Sequence, residues 1–151
     1  MADEQAEITL KPIGVIKNAA DKPLNQGDWW SELVSEVVVD EEWAEGLDGL
    51  EGFSHIIILF YISRLDRPVR MKMHPMGRED IPLTGFFATR TPARPNHIGL
   101  TVVRLLERNG NVLKVQGLDA LNGSPLLDIK AYIPIADQML DAETPDWVVT
   151  R

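Results

Sequence analysis

The chain has 151 residues, 44% of them hydrophobic, which suits one buried core and leaves little room for a second. It contains no cysteine, so disulfides, thiolate nucleophiles, zinc ribbons and iron–sulfur ligation are all excluded. A net charge of −8 argues against a freestanding nucleic-acid binder, although nine of the 15 basic residues fall between Arg64 and Arg108.

We expect a single domain over residues 1–151, with 1–7 and 138–151 as terminal extensions. The start, MADEQAEITL, is acidic and lacks an export pattern. The most apolar run, HIIILFYI, is far shorter than the roughly 20 residues that span a bilayer. A reducing cytoplasm fits this composition.

In chain order, strands are predicted at Ile8 to Lys17, Ser31 to Val39, His55 to Ser63, Val69 to Met73, Gly85 to Thr89, Ile98 to Leu106, Val112 to Leu118 and Leu126 to Ile133. All are short, rich in β-branched residues and punctuated by Pro, Gly and Asn. In the second, Leu33, Ser35, Val37 and Val39 share one face, with Glu32, Val34, Glu36 and Val38 on the other. Asp40 to Leu50 begins with a candidate cap at Asp40 and meets Gly46 and Gly49, so at most two helical turns are expected. Residues 18–30 and 74–84 read as loops over one barrel end. Asn109-Gly110 marks a tight hairpin between two alternating runs. The predicted class is all-β, mainly antiparallel: a small closed barrel with long loops and one or two short helices at most.

Common catalytic signatures are missing: there is no GxGxxG after a strand, no GxxxxGK[ST], no HExxH and no GxSxG. His55 starts the most apolar strand and reads as a core residue, while His74 and His97 lie in loops without metal-type spacing, so no metal site is expected. In ATRTPARPNHIGL, Arg90 and Arg94 stand four residues apart on a segment stiffened by Pro92 and Pro95, which suits a carboxylate or phosphate. Pairing with surface acids of this acidic chain is the alternative. Asn96 adds an amide able to donate and accept. In LDALNGSPLLDIKAYIP, Asp128, Lys130 and Tyr132 share one strand face. They are rim charges if that face is wet, or an acceptor, a cation and a phenol in a row if it lines a pocket.

These two clusters, with EGFSHIIILFY upstream, resemble the TsaA-like (TrmO) family over residues 8–137. The resemblance implies a small β-barrel, usually a homodimer, that binds S-adenosyl-L-methionine. It further implies methyl transfer to N6 of a threonylcarbamoyl-modified adenosine beside the tRNA anticodon. Carried over by position, Gln26, Arg90, Leu100, Asp128 and Lys130 are implied cofactor contacts. Asp128 and Tyr132 are implied catalytic groups, and Arg94, Asn96 and His97 face the substrate. The family's RPNPIG reads RPNHIG here, with His97 in place of proline, and its KPY reads KAY, with Ala131. A small-molecule acceptor, or a binding module that transfers nothing, are the alternative readings.

Overall fold

The computed structural model describes residues 6–22, 29–63 and 67–148. Eight strands form: β1 (Gly14–Lys17), β2 (Val34–Val39), β3 (His55–Tyr61), β4 (Lys72–Met73), β5 (Thr84–Gly85), β6 (Ile98–Asn109), β7 (Val112–Gln116) and β8 (Pro125–Ala131). Six close into an antiparallel barrel in the order β1-β2-β7-β6-β3-β8, while β4 and β5 pair apart from it as a short ribbon. Closure removes the free sheet edges that an open sheet of this size would expose. The all-β closed barrel expected from the sequence is present.

Period-two alternation fills the interior. Ser35, Val37 and Val39 of β2 are buried, as are Ile56, Ile58 and Phe60 of β3, with Val103, Leu113, Val115 and Leu126 from their neighbours. A one-residue bulge at Leu127 keeps β8 in phase, because Leu126 pairs with Phe60 whereas Asp128 pairs with Leu59. Leu126 and Ile129 therefore face inward, and Asp128 and Lys130 face out. A second bulge at Leu106 bends β6 before its hairpin.

Several predicted boundaries are corrected. Residues 8–12 stay exposed ahead of β1, with Ile8 at 86% exposure, and Pro12 has no N–H to offer a ladder. The predicted strand at Gly85 to Thr89 is mostly a 3-10 turn, Phe86–Ala88, whereas β6 runs on to Asn109. Asp40 makes no side-chain capping bond; 3-10 turns at Glu41–Leu47 and Leu50–Gly52 follow, separated by Gly49 at φ 92°. One further 3-10 turn, Pro75–Gly77, and one short helix, α1 (Pro134–Asp137), make up the remaining helical residues described. In the hairpin the loop is Gly110-Asn111, one residue later than predicted, and only Gly110 has positive φ.

That hairpin is fastened at one barrel rim. Asn111 donates from Nδ2 to the Val39 carbonyl at 2.6 Å, and Arg108 pairs with Asp48 at 3.0 Å and Glu51 at 3.3 Å. Glu51's own backbone N–H, and then the Arg108 guanidinium, hold the Glu51 carboxyl below its ordinary 4.5. A carboxyl depressed on folding stabilises the fold above its unfolded pKa and loses that contribution as pH falls. Arg108→Met should therefore lower the melting temperature at pH 7, and the gap to wild type should narrow at pH 3. A gap that widens in acid would contradict the assignment.

Candidate functional site at the barrel mouth

Strand direction sorts the connections onto two rims. The short Gly110-Asn111 turn, the 3-10 turns after β2 and the chain leaving β8 occupy one rim. The three long connections, 18–33, 62–97 and 117–124, gather at the other. Loops on a rigid barrel are where binding groups concentrate.

Two of these loops are joined through Asn18. Its Nδ2 donates to Ser35 Oγ at 3.0 Å and to the Ala120 carbonyl at 2.9 Å, and its Oδ1 accepts from Ala20 N at 2.9 Å. Its own N–H donates to Asn122 Oδ1 at 3.1 Å. Gly123 N donates to the Ile16 carbonyl at 2.7 Å, and Ser124 Oγ to the Leu121 carbonyl at 2.6 Å. Leu118 and Ala120 are buried while Asp119 between them is not, so Asp119 turns toward the mouth. It accepts a short hydrogen bond from Thr101 Oγ1. Beside this loop a cleft of about 330 Å³ is lined by Ala19, Ala20, Asp21, Lys22, Trp29 and Leu33. Trp29 meets Trp30 edge-on at 5.7 Å.

The third loop carries its own small core of Ile81, Phe86 and Ala93. His74 Nδ1 bonds the Ile81 carbonyl at 2.7 Å, and Phe86 N donates to Met71 O at 3.1 Å. Thr89 and Thr91 each accept at Oγ1 from the amide two residues on, at 3.3 Å, which fixes the path of the arginine segment. Arg94 is partly buried, with its guanidinium on the carbonyls of Phe86 at 3.2 Å and Thr89 at 3.4 Å. Arg90 is exposed and has no partner among the described residues. The two arginines thus differ: one organises the loop and the other is available. Asn96 is exposed beside them, and the His97 ring stacks on Tyr61 at 6.0 Å.

The remaining expected site residues lie on the outer wall. Leu100 and Asp128 flank Leu59 on opposite sides. Asp128 pairs with Lys130 at 3.1 Å and also accepts from Ile129 N at 2.9 Å. Tyr132 sits at the opposite rim, its N–H on the His55 carbonyl and its ring 6.4 Å from that of His55. Gln26 lies outside the described residues. Asn18, Thr101 and Asp119 were not singled out from the sequence; the alternation of apolar Leu118 and Ala120 about Asp119 was the available signal. Among the described residues no His, Asp and Glu group could hold a metal, and no helix is long and apolar enough to cross a membrane.

Among the described residues the mouth offers the unpaired Arg90 guanidinium, the Asp119 carboxylate with no cationic partner and the Trp29 ring, a set suited to a zwitterionic nucleoside cofactor.

Known proteins match this chain in sequence and in fold. An S-adenosyl-L-methionine-binding protein of Archaeoglobus fulgidus is 43% identical over 142 residues, covering 90% of this chain and 99% of its own. A probable S-adenosyl-L-methionine-binding protein of Methanothermobacter thermautotrophicus is 43% identical over 137 residues, covering 88% of this chain and 96% of its own. The crystal structure of TrmO from Pseudomonas aeruginosa superposes with a TM-score of 0.74 at 31% identity, covering 91% of this chain. This chain spans 62% of that one. Residues 15–138 match the tRNA-methyltransferase O N-terminal domain, so with the fold and these relatives in agreement, the chain belongs to that family.

Proposed function

We propose that the chain is an S-adenosyl-L-methionine-dependent methyltransferase that methylates N6 of the threonylcarbamoyl-modified adenosine beside the tRNA anticodon. When bound, the cofactor supplies an electrophilic methyl on a sulfonium. Transfer of that methyl requires an acceptor held in line at roughly 3 to 3.5 Å in a water-poor site, so the protein's task is mainly to position and desolvate. Arg90 holds a carboxylate through charge-assisted bonds, and Trp29 closes one side of the cleft. Arg94 keeps the loop in shape. Asn96 and His97 stand at the same rim and take the acceptor side, while the Asp128–Lys130 pair stays on the outer wall.

The tRNA assignment rests on one observation. Residues 67–97, which rise beside the mouth, carry six basic and two acidic residues, a net +4 in a chain of net −8. A basic excursion next to the cofactor groups suits a phosphate backbone. Purified protein with methyl-labelled cofactor should label total tRNA and leave tRNA lacking the threonylcarbamoyl group unlabelled. Measurable cofactor binding with label in neither would sink the tRNA reading and favour a small-molecule acceptor. The proposed site of action is the cytoplasm, where tRNA is used.

A homodimer completes this reading. Ile98, Leu100 and Val102 project from the outer face of β6 at 40%, 48% and 43% exposure, and Tyr61 extends the apolar strip. Such a strip is suited to a second copy of the chain. Val102→Glu should convert a dimer to a monomer in sedimentation. Wild type that sediments as a monomer at assay concentrations would remove the dimer from the proposal.

A further inference from the structure

The rim opposite the mouth is closed by the connection from β2 to β3. Its 3-10 turns bury Leu47 in the barrel core and pack Leu50 against it, which leaves the other side of the segment facing out. Trp43 and Phe53 are exposed there although both are large and apolar. The chain leaving β8 starts beside them. Tyr132 N donates to the His55 carbonyl at 3.2 Å, and the β3–β8 register, carried two residues past Ala131, sets Ile133 opposite Ser54 and next to Phe53. Every residue from 133 to 146 is exposed, with Ile135 at 95%, Leu140 at 89% and Met139 between them. A lone exposed apolar residue needs no explanation, but two segments that bring six of them to one rim mark an interaction surface.

Charge selects what can cover it. Residues 40–53 and 133–146 hold ten of the chain's 23 acidic residues and none of its 15 basic ones. Among the described residues Arg108 is the cation paired with them, on Asp48 and Glu51, while Asp40, Glu41, Glu42 and Glu45 have no ion pair there. Nucleic acid and anionic lipid are both repelled by such a face, and a second copy would set ten carboxylates against ten. A cationic partner with an apolar side relieves the repulsion among the acids as it covers the apolar residues.

We propose that this rim docks a basic amphipathic segment of another protein, a helix that presents apolar residues to Trp43, Ile135 and Leu140 and lysines or arginines to the acids around them. The proposal does not depend on the cofactor or the acceptor assigned to the mouth. The barrel stands between the two faces, so a partner held here leaves the mouth open.

Fluorescence anisotropy with three labelled peptides of about 18 residues, five helical turns, tests this at about 0.15 M salt, where long-range charge effects are screened. The first carries leucines on one helical face and lysines elsewhere, the second has the same composition in scrambled order, and the third has glutamates for the lysines. The chain should bind the first at least about 10-fold more tightly than either of the others. Ile135→Ser with Leu140→Ser, and separately Glu41→Lys with Glu42→Lys and Glu45→Lys, should each weaken it by about 10-fold or more. All five side chains are exposed, so neither change disturbs the core. Glu32→Lys with Glu36→Lys and Glu79→Lys makes the same change in net charge away from this rim, and it should alter affinity by less than about 2-fold. Equal loss in the two triple variants would reduce the effect to net charge and overturn the proposal. Equal binding of the first and scrambled peptides, or no binding of the first, would overturn it as well. A chain that self-associates in sedimentation and becomes monomeric with Ile135→Ser and Leu140→Ser would assign the rim to a second copy instead.

Discussion

Gly14→Ala should lower the melting temperature by about 10 °C, corresponding to about 3 kcal/mol, without touching any group at the mouth. Gly14 is the residue at which the barrel closes, paired with Val39 on one side and Leu126 on the other. A Cβ there would lie 2.1 Å from the Val38 carbonyl oxygen and 3.0 Å from Val38 C and Val39 Cα. All three atoms are backbone, so no side chain can rotate away, and β1 must move off β2 or off β8. Gly99 offers a useful contrast. Its added Cβ would sit 2.4 Å from Phe60 Cζ, a side-chain atom, although that ring is only 4% exposed. Gly99→Ala should cost about 1 to 2 kcal/mol, and Phe60→Leu in the same chain should recover part of it. Differential scanning fluorimetry reads both. A Gly14→Ala melting temperature within 2 °C of wild type would show that the closure tolerates separation.

The barrel was legible because its strands alternate. Val37 and Val39 inward with Glu36 outward, or Ile56, Ile58 and Phe60 inward along β3, follow from period two once water is on one side. Strand ends were less legible, because the bulges at Leu106 and Leu127 depend on partners distant in sequence. The site divided in the same way. Arg90 and Arg94 looked equivalent in ATRTPAR, and only the fold directs one guanidinium to the Phe86 and Thr89 carbonyls and leaves the other exposed. The Asp128 to Tyr132 run reads as one face, yet a strand rising about 3.3 Å per residue carries Tyr132 to the far rim. Asn18, Asp119 and Thr101 are spread over more than 100 residues, and their bonds to the loops exist only once the barrel closes.

The difference between the two arginines gives the second large effect. Arg90→Ala should weaken S-adenosyl-L-methionine binding by about 10- to 100-fold, about 1.5 to 3 kcal/mol, while leaving the melting temperature unchanged. The side chain is exposed and bonds nothing described, so its removal frees no buried group. Arg94→Ala should do the reverse. Two carbonyls, Phe86 and Thr89, lose charged donors in a partly buried setting, which should destabilise by about 1 to 2 kcal/mol and loosen the segment that presents Arg90. Binding then falls indirectly, and Arg94→Lys should restore little of it, because a single ammonium does not reproduce the planar fork that spans both carbonyls. Titration and melting measured on the same three variants distinguish the roles. Unchanged affinity in Arg90→Ala would remove that residue from the site. An Arg94→Ala variant that melts like wild type but fails to bind would transfer the carboxylate contact to Arg94.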